Sequence, residues 1–310
     1  MLWFVCALST AFFESLKDVR SKQTLRYLDE YWVAWATQVV VALVLLPLLL
    51  WQGIPSLGPQ FGTALAIGGS LNVAAFLLYV KAIKQADLSL ILPLVTLTPV
   101  FLLVTSPLIL GEIPTLADIV GVGLIAIGAY ILSLSTQTPN PPIIASISQP
   151  RPWLRPLHWL RPLRTMFQNR GCQKMLLVAF LWSFTSTFDK VGVLNSSPLF
   201  WAVALFSYIA MGLTPWLICR TLRGRSGPPI QLLSQHWSLL ASAGLFGGIA
   251  VAFQMFALTL APVAQVIAIK RMSCLFGVGF GHLLFGELGW RERLSGAGVM
   301  VFGVVVMTVF

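Results

Sequence analysis

The sequence predicts an all-α membrane protein of ten transmembrane helices, arranged as two inverted five-helix repeats. Three observations carry that prediction: apolar runs of bilayer-spanning length, a motif that recurs at a fixed distance in the two halves, and basic residues confined to alternate loops. Only 10% of the 310 residues are charged and 57% are hydrophobic, against roughly 25% charged in a soluble globular chain. Folded in water, such a chain would expose much of its apolar surface, so lipid is its main solvent.

The apolar runs lie at about 2 to 19, 31 to 51, 61 to 80, 88 to 110 and 116 to 134, then at about 175 to 193, 198 to 219, 238 to 260, 262 to 285 and 294 to 310. Each is close to the twenty or so residues that a helix needs to cross about 30 Å of hydrocarbon. Closed barrels also satisfy every backbone group in lipid, but their strands alternate polar and apolar over about ten residues, half the length of these runs. The first run opens MLWFVCALSTAFF, with no basic segment and no small-residue cleavage site before Glu14. It reads as the first span and not as a removable signal.

A shift of 175 positions superposes the third to fifth runs on the eighth to tenth. Leu65/Leu240, Gly69/Gly244, Ala82/Ala257, Phe101/Phe276, Gly111/Gly286, Glu112/Glu287, Gly121/Gly296, Gly123/Gly298 and Gly128/Gly303 coincide without a gap. Earlier in each half the shift is shorter, aligning Ala11, Phe12, Ser15 and Lys22 with Ala179, Phe180, Ser183 and Lys190. Five spans per copy is an odd number, so the second copy inserts upside down, as in many secondary transporters. The copies occupy 1–135 and 174–310, joined by a Pro-, Arg- and Trp-rich linker at 136–173.

Charge agrees with ten alternating crossings. Of the 20 Lys and Arg residues, all but Lys190, Lys270 and Arg271 fall at connections on one side: around Lys17 to Arg26, at Lys81 and Lys84, in the linker and its flanks, at Arg220 to Arg225, and at Arg291 and Arg293. The positive-inside rule makes that side cytoplasmic and places both termini outside. The linker holds PRPWLRPLHWLRPLR. It reads as a cytoplasmic tether with interfacial aromatics, or as a segment lying on an anionic membrane surface. The net charge of +10 forms no basic stripe interleaved with aromatics, so no nucleic acid is expected. The four cysteines form no CxxC pair, and His282 has no second ligand nearby, so neither a metal nor a cofactor is expected.

Two units with a polar start to the fourth span, a proline-broken helix, a GE pair and then a Gly-rich helix resemble the EamA-type members of the drug/metabolite transporter superfamily. The strings that carry the resemblance are ADLSLILPLVTLTPVFLLVTSPLILGEIPTLADIVGVG and APVAQVIAIKRMSCLFGVGFGHLLFGELGWRERLSGAG. The resemblance covers the chain apart from the linker. It implies a central cavity between the halves and transport of a small metabolite across a bacterial inner membrane by alternating access. Many such relatives carry both termini in the cytoplasm; the charge distribution here argues for the opposite orientation.

A charged side chain at the bilayer centre costs roughly 2.5 to 3.5 kcal/mol on insertion scales, so each one is a site candidate. Lys270 and Arg271 lie about nine residues into the ninth span, near the midplane, with Ser273 three residues on from Lys270 and sharing its face. The pair reads as an anion site or as a structural ion pair with Glu14 or Asp189. It also resembles the Lys-Arg of plastid sugar-phosphate translocators, but Val95 stands at the repeat-equivalent of Lys270, which weakens phosphate and leaves carboxylates or other anions open. Glu14 follows twelve apolar residues and has Lys17 at i+3. It reads as a helix-end ion pair or as a proton carrier, and Asp189 and Lys190 pose the same question near the outer end of the sixth span.

The fourth span carries Pro93, Pro99 and Pro107 with Ser89, Thr96 and Thr98. Freed carbonyls beside prolines line a cavity, or are satisfied by the neighbouring hydroxyls. Asn72 and Tyr79 share a face of the third span, and Tyr79 matches Gln254 in the other half; all three are expected to line the cavity. Glu112 and Glu287 are expected to complement the N-terminus of the helix that follows each, and the glycines of the fifth and tenth spans to allow close helix packing. The expected partners are lipid and a small-molecule substrate, with a proton or counter-substrate for coupling and a second copy of the chain as further options. A membrane-embedded enzyme and a passive channel are the rival classes, but no HExxH, GxSxG or phosphate-cradling Gly loop is present.

Overall fold

The computed structural model describes residues 1–85, 94–134, 169–223, 234–285 and 290–309. Among these, all regular structure is helical. The first half contributes α1 (Leu2–Thr24), α2 (Glu30–Gln52), α3 (Phe61–Gln85), α4 (Thr98–Leu110) and α5 (Leu116–Leu134). The second contributes α6 (Arg170–Leu194), α7 (Pro198–Leu222), α8 (Trp237–Leu260), α9 (Val263–Lys270), α10 (Ser273–Phe285) and α11 (Trp290–Val309). The linker centre, Ser89, Pro93 and Glu287 lie outside the described residues.

Two expectations need correcting. The first span runs to Thr24, not to about position 19, so Lys17, Arg20 and Lys22 are helical and not loop residues. At 23 residues α1 is about 35 Å long, enough to cross. Composition alone marks α2, α3, α6, α7 and α8 as membrane spans; α1 escapes that test because its lower half is charged on the face turned toward the bundle. The ninth span, moreover, is two helices: α9 ends at Lys270 and α10 begins at Ser273.

The break between α9 and α10 has a twin. At the first, Met272 N–H donates to Ile269 O at 2.9 Å and Leu275 N–H to Met272 O at 2.9 Å. At the second, Leu97 N–H donates to Leu94 O at 3.2 Å and Val100 N–H to Leu97 O at 3.0 Å. These tightened i to i+3 turns are related residue by residue by the 175-position shift. At the Leu97 turn proline explains the break, because Pro99 has no N–H to offer Val95 O. The Thr98 hydroxyl takes that place, donating to Val95 O at 2.7 Å.

Helix pairing obeys the same exchange of halves. α1 packs on α8 as α6 packs on α3, α1 packs on α9 and α10 as α6 packs on α4, and α2 with α7 and α5 with α11 close the two ends. The shorter alignment at the start of each half also has a structural counterpart: Ser15 donates to Phe12 O at 2.6 Å and Ser183 to Phe180 O at 2.7 Å. At the basic-loop end, Asp29 caps α2 by accepting the Tyr31 N–H at 3.0 Å and also accepts Arg220 Nη2 at 3.1 Å.

The glycines of α5 and α11 divide into two groups. Gly121 and Gly303 bring the two backbones together, and a Cβ on Gly128 would meet Gly296 O and the backbone of Met300. Gly123 and Gly298 face open space, so close packing does not account for them. Gly128→Val is therefore expected to destabilise the bundle by about 1 to 3 kcal/mol or more through overpacking, whereas Gly123→Ala is tolerated; thermal unfolding in detergent compares the two.

Candidate functional site

The site begins with spacing on α1. Glu14 and Lys17 are three residues apart and Asp18 four from Glu14, so all three share one helical face. Lys17 Nζ is ion-paired with Glu14 Oε1 and lies 3.5 Å from Asp18 Oδ1. Because α1 packs on α9 and α10, this face meets the break in the ninth span. Lys270 Nζ stands 3.9 Å from the same Glu14 oxygen and donates to Gln254 Oε1 of α8 at 2.7 Å.

Lys270 closes α9, where an ammonium complements the negative end of the helix. Arg271 occupies the turn itself. Its Nη2 donates to Thr98 Oγ1 at 3.0 Å, at the twin break, so the two interruptions meet at a guanidinium–hydroxyl contact. Its Nε is buried and has no acceptor among the described residues. A buried donor left unmade costs about 1 to 3 kcal/mol, more when charged. Tyr79 of α3 is within electrostatic reach of Lys17, Asp18 and Arg271, and the Cys274 thiol is within reach of Arg271.

Of the residues singled out from sequence, Lys270, Arg271, Gln254, Thr98, Tyr79 and Glu14 thus converge. Thr96 is buried in the turn beside Thr98, Ser273 is half-buried at the start of α10, and Asn72 is buried two turns from Tyr79 along α3. Lys270 pairs with Glu14 and not with Asp189, whose Oδ1 accepts the Trp201 indole N–H at 3.1 Å. Asp18 and Cys274 were missed by sequence reasoning. Asp18 lies inside the first apolar run, at i+4 from Glu14, and that spacing is the signal that places it on the same face. Its side chain is 63% exposed, unlike those of Glu14 and Lys17.

Glu112 does not serve the helix that follows it. The start of α5 is capped locally, with Asp118 Oδ2 accepting both the Thr115 N–H and its hydroxyl at 2.9 Å. Glu112 crosses instead to the other half: Oε2 accepts the Val263 N–H at 3.0 Å, the first turn of α9, and the Ser106 hydroxyl at 2.5 Å. Its Oε1 is ion-paired with Lys190, which also donates to Ala261 O at 2.8 Å. This latch joins α4, α6 and α9 at the end of the bundle opposite the basic loops.

The sequence profile of the EamA-like transporter family matches residues 1–134 and 169–309. A protein described as an uncharacterized transporter in the cobO 3' region, from a Sinorhizobium species, is 28% identical over 136 residues, covering 43% of this chain and 96% of that protein. A solved structure titled only as the crystal structure of a protein superposes with a TM-score of 0.73 at 14% identity, over 99% of this chain and 96% of the other. The last shares the fold.

The geometry separates structural from unsatisfied charge. Glu14→Gln leaves Lys17 and Lys270 without their common anion and is expected to cost about 3 kcal/mol or more, as for a buried pair stripped of one partner. Arg271→Met removes an unmet donor and is expected to leave the unfolding temperature unchanged or raised. A clear fall for Arg271→Met in detergent melting would make it a structural cation.

Proposed function

The chain belongs to the EamA-like transporter family, and from that premise we propose that it is a secondary transporter for a small carboxylate-bearing metabolite, anionic or zwitterionic, working by alternating access across the inner membrane. The observation that carries the substrate class is the buried Nε of Arg271, without an acceptor among the described residues, at the meeting of the two helix breaks. A carboxylate oxygen supplies the missing acceptor. The cluster's charges support a single negative charge: Lys17, Lys270 and Arg271 outnumber Glu14 and Asp18 by one. One surplus positive charge balances a carboxylate but leaves a phosphate dianion under-neutralised. Asp18, exposed and only loosely held by Lys17 at 3.5 Å, is the natural partner for a substrate ammonium.

Alternating access needs a contact between halves that can be made and broken. The Glu112–Lys190–Val263 latch is such a contact, and in this structure it is made. Under the proposed orientation, with the basic loops cytoplasmic and both termini outside, it closes the outer end. The two half-helix breaks provide the flexible points, since backbone groups freed inside a membrane are tolerated only within protein or beside a water-filled cavity.

Uptake into proteoliposomes from a panel of radiolabelled amino acids, monocarboxylates and sugar phosphates tests the reading. Saturable, trans-stimulated flux of a carboxylate is expected. Arg271→Met should reduce it by at least about 30-fold, matching the ~2 kcal/mol lower bound for truncating a buried charged hydrogen bond. Glu112→Gln should slow flux while preserving the thermal shift that the same compound induces. Linear flux would identify a channel, and chemical turnover without flux an enzyme. Orientation is tested separately: in a cysteine-free background, Arg26→Cys and Arg223→Cys are expected to react with an impermeant maleimide from the cytoplasmic face and Ile54→Cys from the other.

A further inference from the structure

Asp189 stands apart from the charges described so far. It is buried, at 6% exposure, on α6, and among the described residues no ion pair meets the charge it would carry when ionised. Its hydrogen-bond partner is the indole N–H of Trp201 on α7, a side chain with no exposed surface, whose ring packs flat on the bare backbone of Gly192. The indole occupies Oδ1. Oδ2 has no hydrogen-bond partner among the described residues, which leaves it available to carry a proton.

The neighbouring elements bring little charge to it. Lys190, next in sequence, is turned away to Glu112 and Ala261 O. Of the described charged groups on packed helices, Lys270 of α9 lies within electrostatic reach. α8 has no charged residue; Arg220 of α7 is held by Asp29, and Lys81 of α3 lies over the Trp216 ring. Burying a charged carboxylate against one neutral donor is expensive.

We infer that Asp189 is a proton-binding site that couples proton movement to transport, with Trp201 holding Oδ1 and the proton carried on Oδ2. Nothing but a proton is exchanged: carboxylate and proton become carboxylic acid, and the indole keeps its hydrogen. Lys270 links this site to the substrate site. It is shared between Glu14 and, at longer range, Asp189, so the charge on Asp189 alters the field at the place where the substrate carboxylate is proposed to sit. The coupling role rests on the transport reading above; proton binding does not.

Two measurements on the full chain in lipid vesicles test it. With the aspartate side chains labelled with ¹³C at Cγ, solid-state NMR resolves the carboxyls of the five aspartates. One signal, absent in Asp189→Asn and displaced in Trp201→Phe, is expected to change between acid and carboxylate forms between about pH 5 and about pH 9, where exposed aspartates are already ionised. An Asp189 signal that stays ionised, or stays protonated, across that range overturns the proposal. In the uptake assay, a gradient of about one pH unit should support accumulation of the transported panel compound up to about tenfold. Asp189→Asn should abolish accumulation and keep counterflow exchange; a variant that still accumulates against the gradient also overturns the proposal. A chain that moves no panel compound sinks the transport reading alone, because the NMR titration is independent of it.

Discussion

One carboxylate, that of Glu14, is shared between Lys17 of its own helix and Lys270 of the opposite half, and the centre of the bundle depends on that sharing. A charge placed in hydrocarbon is costly unless paired. α1 carries Glu14, Lys17, Asp18, Arg20 and Lys22 within 23 residues, so it spans a membrane only with its charged face turned into protein. The available neighbours are α8, α9 and α10, and the cations on α9 and the following turn complete the pairing. Where α1 packs is thus set by compensation of charge as much as by its apolar first half.

The scaffold is symmetric and the chemistry is not. Helix pairs and helix breaks are preserved when the halves are exchanged, yet the counterparts of Glu14, Lys17 and Asp18 are Trp182, Thr185 and Ser186, and those of Lys270 and Arg271 are Val95 and Thr96. The α1–α9 side is therefore ionic, whereas α6 makes aromatic contacts with α4, Phe101 against Phe180, and with α3, Trp182 against Tyr79. The two sides of the bundle therefore differ in character, one charged and one aromatic.

Much of this was legible in the sequence because membrane spans announce themselves by length and because the halves repeat. Lys270, Arg271 and Glu14 were conspicuous as charges among apolar residues, and the prolines of the fourth span signalled its break. The break at Arg271–Met272 was not, since no proline or glycine marks it. Only its equivalence to Thr96–Leu97, through the 175-position shift, identifies it from sequence. Asp18 was lost for a different reason: apolar composition ends near position 19 while the hydrogen-bonded helix continues to Thr24, so hydropathy placed a charge of the α1 cluster at the rim of the span.

Glu112 shows why local rules fail where a motif acts at a distance. Gly111 ends α4 in the left-handed conformation, at φ +71°, which a residue with a side chain rarely adopts, and this leaves Glu112 just beyond the helix end. Reading forward, the nearest positive helix end belongs to α5, but Asp118 already serves it. The unclaimed one is that of α9, in the other half. This choice ties two regions together. α9 is eight residues long, about 12 Å; Glu112 and Lys190 hold its first turn, while Lys270 is its last residue and Arg271 follows. One short helix thus connects the latch at its first turn to the cation pair at its end.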